Sequence, residues 1–519
     1  MKKIVTAQEI KEIEQYAIGE IGVPSLVLME RAALCVSERI RQRFSKKETI
    51  CIVCGVGNNG ADGVAIARQL LESEFQVTVV VPGQPEKFTE ELKYQISILE
   101  SCGLQFLKEI PNKDFSCFVD AILGVGLSRS ITDKFILKAI ETINSSDAYI
   151  YSVDIPSGIC TDTGRIMGEA VKANETITFS YGKTGLYVFP GKQYAGKVTV
   201  EEIGLKLFEK SGRKMSHYML EDIDVHRLLQ RKPDGNKGTF GKVAVIAGSD
   251  EISGACILCA KAVLRSGAGM VKVLSSKENA EVLKNALPEA MTCVFKESAT
   301  IQTDIEDAVK WADVVVIGPG IGQGEDAYLK MKAVLEKFPQ DKKLLIDADG
   351  INLIGKNNEL RKLTCEVNNL IYTPHMAELS RLTGYSIAEL KDDLDKIMSE
   401  VCCEDNAIYV CKDSVTRIYS KDKPIYINKY GNSGMATAGS GDVLAGVLAA
   451  LTARFGMDLY VGVALGVYLH SLAGDEAASL RGQNAMLAGD IIDALPKVLK
   501  KMEEFSECLN MKEFTHKSI

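Results

Sequence analysis

The 519-residue chain has no apolar run long enough to cross a bilayer. The stretch "VLAGVLAALTA", residues 443–453, is well short of the roughly 18 residues a spanning helix needs. The first fifteen residues hold three lysines but no apolar segment of the secretory kind, so a cytoplasmic location is expected. A basic excess is also missing. Against 69 acidic residues stand 61 Lys and Arg, and a net charge of -8 gives no footprint for nucleic acid. A small-molecule partner is the expectation. No GxxxxGK[ST] occurs; "GNKGTFGKV" has the wrong spacing and no Ser or Thr after its lysine, which excludes a P-loop enzyme. Tryptophan occurs once, as Trp311, and reads as packing before an apolar strand. Short-period repeats and low-complexity segments are absent.

With 46% hydrophobic and 25% charged residues, the composition is that of a globular protein, and the length implies two domains. The fourteen cysteines are scattered and read as reduced thiols. Cys51 and Cys54 fall in a strand, where an i, i+3 pair points to opposite faces and cannot chelate one ion. Cys256 and Cys259 read as buried small hydrophobes on a helix.

Residues 7–43 read as one helix, with Met29, Ala32, Ala33 and Val36 at helical spacing. Strands and helices then alternate from "TICIVCG" to "AYIYSVDIPSG", closing with "NETITFSYG" and "GKVTVEEIG". Continuous apolar strands between amphipathic helices predict a parallel sheet covered on both faces, an α/β three-layer sandwich. The alternation restarts at "GKVAVIAGS". The expected domains are 1–213 and 220–505, followed by a loose tail, 506–519. In such sheets ligands sit at the carboxyl ends of the strands, and here those ends carry Gly, Asp, His or Lys.

"VCGVGNNGADG", residues 53–63, has the spacing GxGxxG between a strand and a helix. A nicotinamide Rossmann site also needs an acidic residue about 20 positions on, at the end of the second strand. That strand ends "VTVVVPG", so an ordinary dehydrogenase is disfavoured. Asn58, Asn59 and Asp62 instead add side-chain oxygens to backbone amides, a set suited to a monovalent cation or to ribose hydroxyls; turn and N-cap roles are the alternative. "VDAILGVGLSRS" and "SVDIPSG" place Asp120 and Asp154 at two further strand ends, with Ser157 just beyond the second. Three oxygen-rich strand ends in one sheet favour a composite site over three separate caps.

These three stretches resemble the YjeF N-terminal family, the NAD(P)HX epimerases, over about 200 residues. The resemblance implies a Rossmann-like fold in which Asn58, Asn59, Gly60, Ala61, Asp62, Gly124, Val125, Gly126, Leu127, Ser128, Arg129, Ser130 and Asp154 bind the hydrated dinucleotide. It also implies potassium on Asn59, Asp120 and Ser157. Ala61 stands where the family usually has glycine, and its methyl is expected to crowd the ligand.

In the second half, "GNSGMATAGSGDVLAGVLAAL" would aim successive backbone amides at one anion at a helix start. Asp442 stands where an acidic side chain would repel that anion. It reads as a base taking a proton from an attacking hydroxyl, the alternative being a carboxylate that stabilises the helix dipole. Together with "GSDEISGACILCAKAVLRSGAGMVKV", "GPGIG", "TPHMAE" and "CKDSVT", the stretch resembles the ADP-dependent NAD(P)HX dehydratases over about 270 residues. These are ribokinase-like αβα proteins. The resemblance implies that Ala255, Gly322, His375 and Asp442 touch the hydrate, and that Lys412, Asp413, Ser414, Val415, Thr416, Ala438, Gly439, Ser440 and Gly441 hold ADP, with magnesium. Met376, Ala377, Asp413 and Ala438 depart from the family pattern. Of the five histidines, His375 at a strand tip is the functional candidate; His470 reads as a packed helix residue, and His217, His226 and His516 carry no signal.

The two resemblances imply one repair activity on hydrated NADH and NADPH. R and S forms interconvert in the first domain, and the S form is dehydrated in the second with release of AMP and phosphate. The expected catalytic residues are Asp154 and Asp442, the expected partners are NADHX, NADPHX and ADP, and the family implies a homo-oligomer. The alternative is a vitamin-alcohol kinase fused to a non-catalytic dinucleotide-binding or scaffold domain.

Overall fold

The computed structural model of the chain describes all residues except 230, 232, 296–300, 455 and 517–519. It separates into two compact units, Lys3–His217 and Tyr218–Ile519, the second including Met1–Lys2.

In the first unit, six strands form a wholly parallel sheet: β1 (Thr49–Cys54), β2 (Gln76–Val80), β3 (Cys117–Ala121), β4 (Tyr149–Val153), β5 (Glu175–Phe179) and β6 (Lys197–Glu201). They stand in the order β2-β1-β3-β4-β5-β6. Period-2 alternation sorts their side chains onto two cores. Ile50, Ile52 and Cys54 belong to one, whereas Cys51 and Val53 belong to the other. The CxxC pair therefore points to opposite faces, as the strand reading required.

The expected opening helix is two helices, α1 (Ala7–Gln15) and α2 (Ser25–Arg43). A π-helical turn, Tyr16–Glu20, ends the first. The break follows from Gly22 in the left-handed region at φ 82° and from Pro24, which has no amide hydrogen to continue a helix. Helix α3 (Asn58–Glu72) starts directly after the glycine loop.

In the second unit nine strands succeed one another: β7 (Lys242–Ile246), β8 (Met270–Ser275), β9 (Met291–Val294), β10 (Val314–Ile317), β11 (Lys343–Ile346), β12 (Leu370–Tyr372), β13 (Ile408–Cys411), β14 (Arg417–Tyr419) and β15 (Ile425–Ile427). Their order is β9-β8-β7-β10-β11-β12-β13-β14-β15, parallel through β13 and antiparallel beyond it. Val243 and Val245 face one core, Ala244 and Ile246 the other. Helices α4 (Gly254–Arg265), α5 (Met376–Thr383), α6 (Ser440–Thr452), α7 (Leu459–Arg481) and α8 (Ala488–His516) follow. The backbone of the expected tail is thus helical as far as His516, and 517–519 lie outside the described residues. Among the described residues no helix is long and apolar enough to cross a membrane.

In each sheet the chain leaves one strand to both sides, at β1/β3 and at β7/β10. A crevice opens at the carboxyl edge there, which is where such folds place ligands.

Helices α4 and α6 pack without a gap at Gly446. A methyl built there lies 2.3 Å from the Cys259 carbonyl oxygen and 2.8 Å from Ala262 Cβ. Gly446→Ala is expected to destabilise the second unit by about 1–3 kcal/mol, as overpacked cores do. Thermal unfolding followed by circular dichroism checks this, and an unchanged midpoint contradicts it.

Candidate functional sites

A cavity of about 1450 Å³ opens at the carboxyl edge of the first sheet. Its floor is made by backbone stacking. A methyl on Gly55 would sit 1.8 Å from the Ile122 carbonyl oxygen, and one on Gly60 1.9 Å from that of Gly55. Gly55 must be glycine if the loops after β1 and β3 are to meet, and Gly60 if the start of α3 is to pack on Gly55. Asn58, Asn59, Asp62, the loop from Gly124 through Val125, Gly126, Leu127, Ser128 and Arg129 to Ser130, and Asp154 all line the cavity.

Two expected residues do not line it. Gly60 is a packing position, as its contact with Gly55 shows, and Ala61 is fully buried in the core with its amide bonded to Gly57 O at 3.1 Å. The methyl of Ala61 therefore faces the hydrophobic core and does not crowd the ligand.

Asp154, just past β4, holds a left-handed backbone at φ 67°, an uncommon conformation for a residue with a side chain. Its Oδ1 accepts from Thr178 Oγ1 at 3.0 Å and from the Phe179 amide at 3.4 Å, and it pairs with the Lys183 ammonium. Lys183 is almost wholly buried and also donates to Thr178 Oγ1 at 2.9 Å and Phe179 O at 3.2 Å. Sequence reasoning missed Lys183. The available signal was a lysine, in "SYGKTG", four residues beyond a strand end in a sheet whose other ends carry the site.

Asp62 and Glu14 also line this cavity. Burial, reinforced by the Asp154 charge, raises the proton affinity of both, strongly so for Asp62.

Asp120 and Ser157 lie beneath the cavity, fully buried. Asp120 Oδ1 accepts from Ser157 Oγ at 2.5 Å and the Ile122 amide at 3.3 Å; Oδ2 accepts from Ser152 Oγ and the Ser157 amide, both at 2.8 Å. Burial raises its pKa, and these hydrogen bonds oppose the rise. Ser157 Oγ also accepts from the Leu123 amide at 2.8 Å, tying the pair to the cavity loop. Asn59 stands against Gly124, and its buried Nδ2 has no partner. A reversed amide would aim Oδ1 at the same point, so the donor set of Asn59, Ser157 and nearby carbonyls fits a weakly charged cation. With its four acceptor positions filled, Asp120 fits as counter-charge rather than as a free ligand.

In the second unit the loops at the crevice are again held by close backbone contact. The Gly248 amide donates to Pro319 O at 2.8 Å, and a methyl on Gly318 would lie 1.9 Å from Asp347 O. Ala255 packs under Gly320, whose built methyl would be 3.1 Å from its Cβ. Gly322 donates its amide to Asp349 Oδ2 at 3.0 Å. Asp349 Oδ1 accepts from Gln323 Nε2 at 3.1 Å.

Asp442 sits in the first turn of α6, one residue past Gly441. Gly439 caps this helix with φ 87°, a conformation that turns the preceding chain across the helix start. Burial pushes the Asp442 carboxyl up to about 7; Asp347 and Asp349 add to the rise and Lys412 opposes it. No described residue hydrogen-bonds to this carboxyl. Lys412, following β13, pairs with the buried Asp347 at 2.9 Å. Although burial disfavours its charge, Asp347, Glu378 and Asp442 outweigh that and hold it protonated. A methyl on Gly441 would lie 3.4 Å from Lys412 Nζ, so the amide-rich helix start and the ammonium share one spot. Asp413, Ser414 and Ala438 are exposed, Thr416 is half-buried, and the Val415 side chain points into the core.

His375 proves to be the N-cap of α5. Its Nδ1 accepts from the Ala377 and Glu378 amides at 3.1 and 3.3 Å, while Glu378 Oε2 accepts from the His375 amide at 2.9 Å. The cap places the ring proton on Nε2, and burial with the nearby Lys412 charge keeps the ring neutral. Its Nε2 lies 3.3 Å from Glu378 Oε1, and the side chain is 52% exposed. His470, read as packing, is buried and hydrogen-bonds through Nε2 to Ser440 O at 3.1 Å, its pKa pushed down to about 4 by burial. It steadies the first residue of the helix that carries Asp442. His226 Nδ1 meets Met502 O and His217 meets Ser216 Oγ, both structural contacts.

Among the described residues no group of three or more His, Cys, Asp or Glu is poised to hold a metal ion. Of the three carboxylates near Lys412, only Asp442 is without a hydrogen-bond partner. That leaves one protein ligand for a divalent ion, the arrangement expected where magnesium is held mainly by phosphate oxygens.

The sequence pattern of the YjeF-related protein N-terminus family matches residues 25–185, and that of the NAD(P)H-hydrate dehydratase family matches 243–497. A bifunctional NAD(P)H-hydrate repair enzyme of Moorella thermoacetica is 34% identical, the match covering 98% of either chain. Another of the same name, from Thermofilum pendens, is 33% identical over 97% of each. A ribokinase-like superfamily protein from Enterococcus faecalis V583 superposes with a TM-score of 0.50 at 30% identity, covering 56% of this chain and 98% of its own. With relatives matched end to end across both halves, the chain belongs to the family of bifunctional NAD(P)H-hydrate repair enzymes.

Proposed function

We propose that the first unit interconverts the R and S hydrates of NADH and NADPH, and that the second dehydrates the S hydrate at the expense of ADP. The observation that carries this reading is Asp442. It is a desolvated carboxyl with a pKa near neutrality at the mouth of an amide-lined helix start, beside a lysine that is held charged. A base poised near the working pH is what phosphoryl transfer to a substrate hydroxyl needs.

In the second unit, Asp442 takes the proton of the C6 hydroxyl as that oxygen attacks the β-phosphoryl group of ADP, and AMP leaves. The amides of Gly439, Ser440 and Gly441 and the Lys412 ammonium bind the phosphates and stabilise the charge that develops on them. The C6–O bond then breaks, its electrons departing with phosphate while the N1 lone pair forms a C6=N1 iminium. Loss of a C5 proton restores the dihydronicotinamide. Magnesium, when bound to the diphosphate, supplies further charge neutralisation. Ala255, Gly322 and the Nε2–H of His375 are assigned to the hydrate, and the backbone of residues 413–416 to the adenosine phosphate.

In the first unit, Asp154 serves as the base, paired with Lys183. Asp62 and the Asn58 side chain are assigned to ribose hydroxyls, and the 124–130 loop to the pyrophosphate. Potassium would be held by Asn59 and Ser157 over the charge of Asp120, and would orient substrate oxygens. A cytoplasmic location and self-association complete the proposal and rest on the family resemblance.

The test is recovery of reduced-nicotinamide absorbance from mixed R and S hydrates with and without ADP. Full, nucleotide-dependent recovery supports both activities; recovery limited to the S fraction removes the epimerase.

Asp154→Asn is expected to slow R-to-S conversion by about 10²- to 10⁴-fold while S dehydration continues at the wild-type rate, read by chromatographic separation of the two epimers. Asp442→Asn is expected to lower phosphate release from S hydrate and ADP by at least a similar factor. In the wild type, release rises with pH through about 7 as Asp442 loses its proton. Linkage gives the same substitution an opposite effect on stability. Because the folded pKa lies above that of an ordinary aspartate, folding is progressively penalised as pH rises from about 4 to about 7. Asp442→Asn removes that penalty, so its melting temperature should exceed the wild type's above pH 7 and converge with it near pH 4. Parallel melting curves at both pH values would contradict the buried-carboxylate account.

A further inference from the structure

The proposed epimerisation leaves one chemical demand unmet. Opening the C6–O bond requires a proton for the departing hydroxyl, and reclosure on the other face requires a base for the incoming water. Asp154 already accepts from Thr178 and the Phe179 amide and is paired with the Lys183 ammonium, a set of donors that suits the second task and not the first.

Among the groups lining the cavity, Glu14 fits the first. It lies on α1 one turn after Ile10, which is buried and also lines the cavity, so both share the inward stripe of the helix. Its carboxyl makes no hydrogen bond or ion pair among the described residues. The groups around it are Asp154 and Lys183 across the cavity, Lys11 on its own helix and Asp62 on α3. Burial is the largest influence and favours the neutral acid; Asp154 adds to it, and Lys183 and Lys11 oppose it. Asp62, on α3, is equally without a side-chain hydrogen-bond partner and burial likewise favours its neutral form; it follows Asn58 and Asn59 in the glycine loop and is assigned with Asn58 to the substrate's ribose hydroxyls.

We propose that Glu14 is the second acid–base group of this cavity: its neutral carboxyl protonates the C6 hydroxyl as the C6–O bond breaks, while Asp154 deprotonates the water that adds to the opposite face of C6. The proposal rests on the epimerase reading of the first unit. The C6–O electron pair leaves with oxygen as water, and the N1 lone pair becomes the C6=N1 bond. A water lone pair then forms the new C6–O bond, and the π electrons return to N1. Glu14 ends as carboxylate and Asp154 as acid, and one proton returned through solvent resets both. In the reverse direction the two exchange roles.

The experiment uses the full chain with purified R hydrate of NADPH and ADP, after subtraction of the uncatalysed rate. Glu14→Gln should lower kcat for R consumption about 10²- to 10⁴-fold with KM little changed and S dehydration unaffected, and should lose the decline in rate at high pH. Glu14→Asp should restore part of the rate. A Glu14→Gln enzyme with wild-type kcat, or one altered only in KM, overturns the proposal. A wild-type chain that consumes the S hydrate alone overturns the epimerase reading and this proposal with it, whereas loss of S dehydration in the variant would mark a folding defect and overturn the catalytic assignment.

Discussion

Backbone packed directly on backbone, at the carboxyl edge of each sheet, is the constraint from which the sites follow. Parallel strands deliver all their following loops to one edge, so that edge is crowded. The loops converge only where side chains are absent at the contact: Gly55 on Ile122 and Gly60 on Gly55 in the first unit, Gly318 on Asp347 in the second. The contacts of Gly55 with Ile122 and of Gly318 with Asp347 bring amides and carbonyls from different strands within reach of one ligand. A methyl at any of them would have to displace a main-chain oxygen, which no rotamer change can accommodate.

The same crowding sets the electrostatics. Loops that pack closely exclude water, and exclusion of water is what moves the carboxyls. Asp442 rises to about 7 chiefly through desolvation, with Asp347 and Asp349 adding to it. Asp154 is placed differently, against an almost fully buried lysine that supplies its counter-charge. One edge geometry thus yields two chemically distinct carboxyls: one desolvated, without a hydrogen bond among the described residues and raised towards neutrality, and one paired with a buried ammonium. His470 and Asp120 do related work from beneath, fixing Ser440 and Ser157 without reaching the ligand side themselves.

Departures from the family pattern acquire meaning only in this setting. Ala61 replaces a glycine in "NNGADG", yet its methyl enters the core and leaves the cavity untouched. Ala438 and Asp413 are exposed at the rim of the second site. Ala377 contributes an amide to the His375 cap, which any residue but proline supplies. None of them removes a hydrogen bond or a charge from either constellation.

The sequence by itself determined the alternation of strands and helices, the parallel sheets and the glycine-rich strand ends, because these depend on local periodicity and on residue types that a short window displays. Asp154 and Asp442 were legible for the same reason, each lying beside a motif at a strand or helix end. The break between α1 and α2 was legible in Gly22 and Pro24, although the apolar spacing ran through it and pointed to one helix. Only the tertiary structure decided that Lys183 joins Asp154, that Glu14 faces the same cavity, that Lys412 is held by Asp347, and that Gly60 and Ala61 face inward. Each of those facts joins residues from separate strands or helices, and the direction in which a side chain points at a crowded edge is set by the neighbouring loops rather than by its own segment.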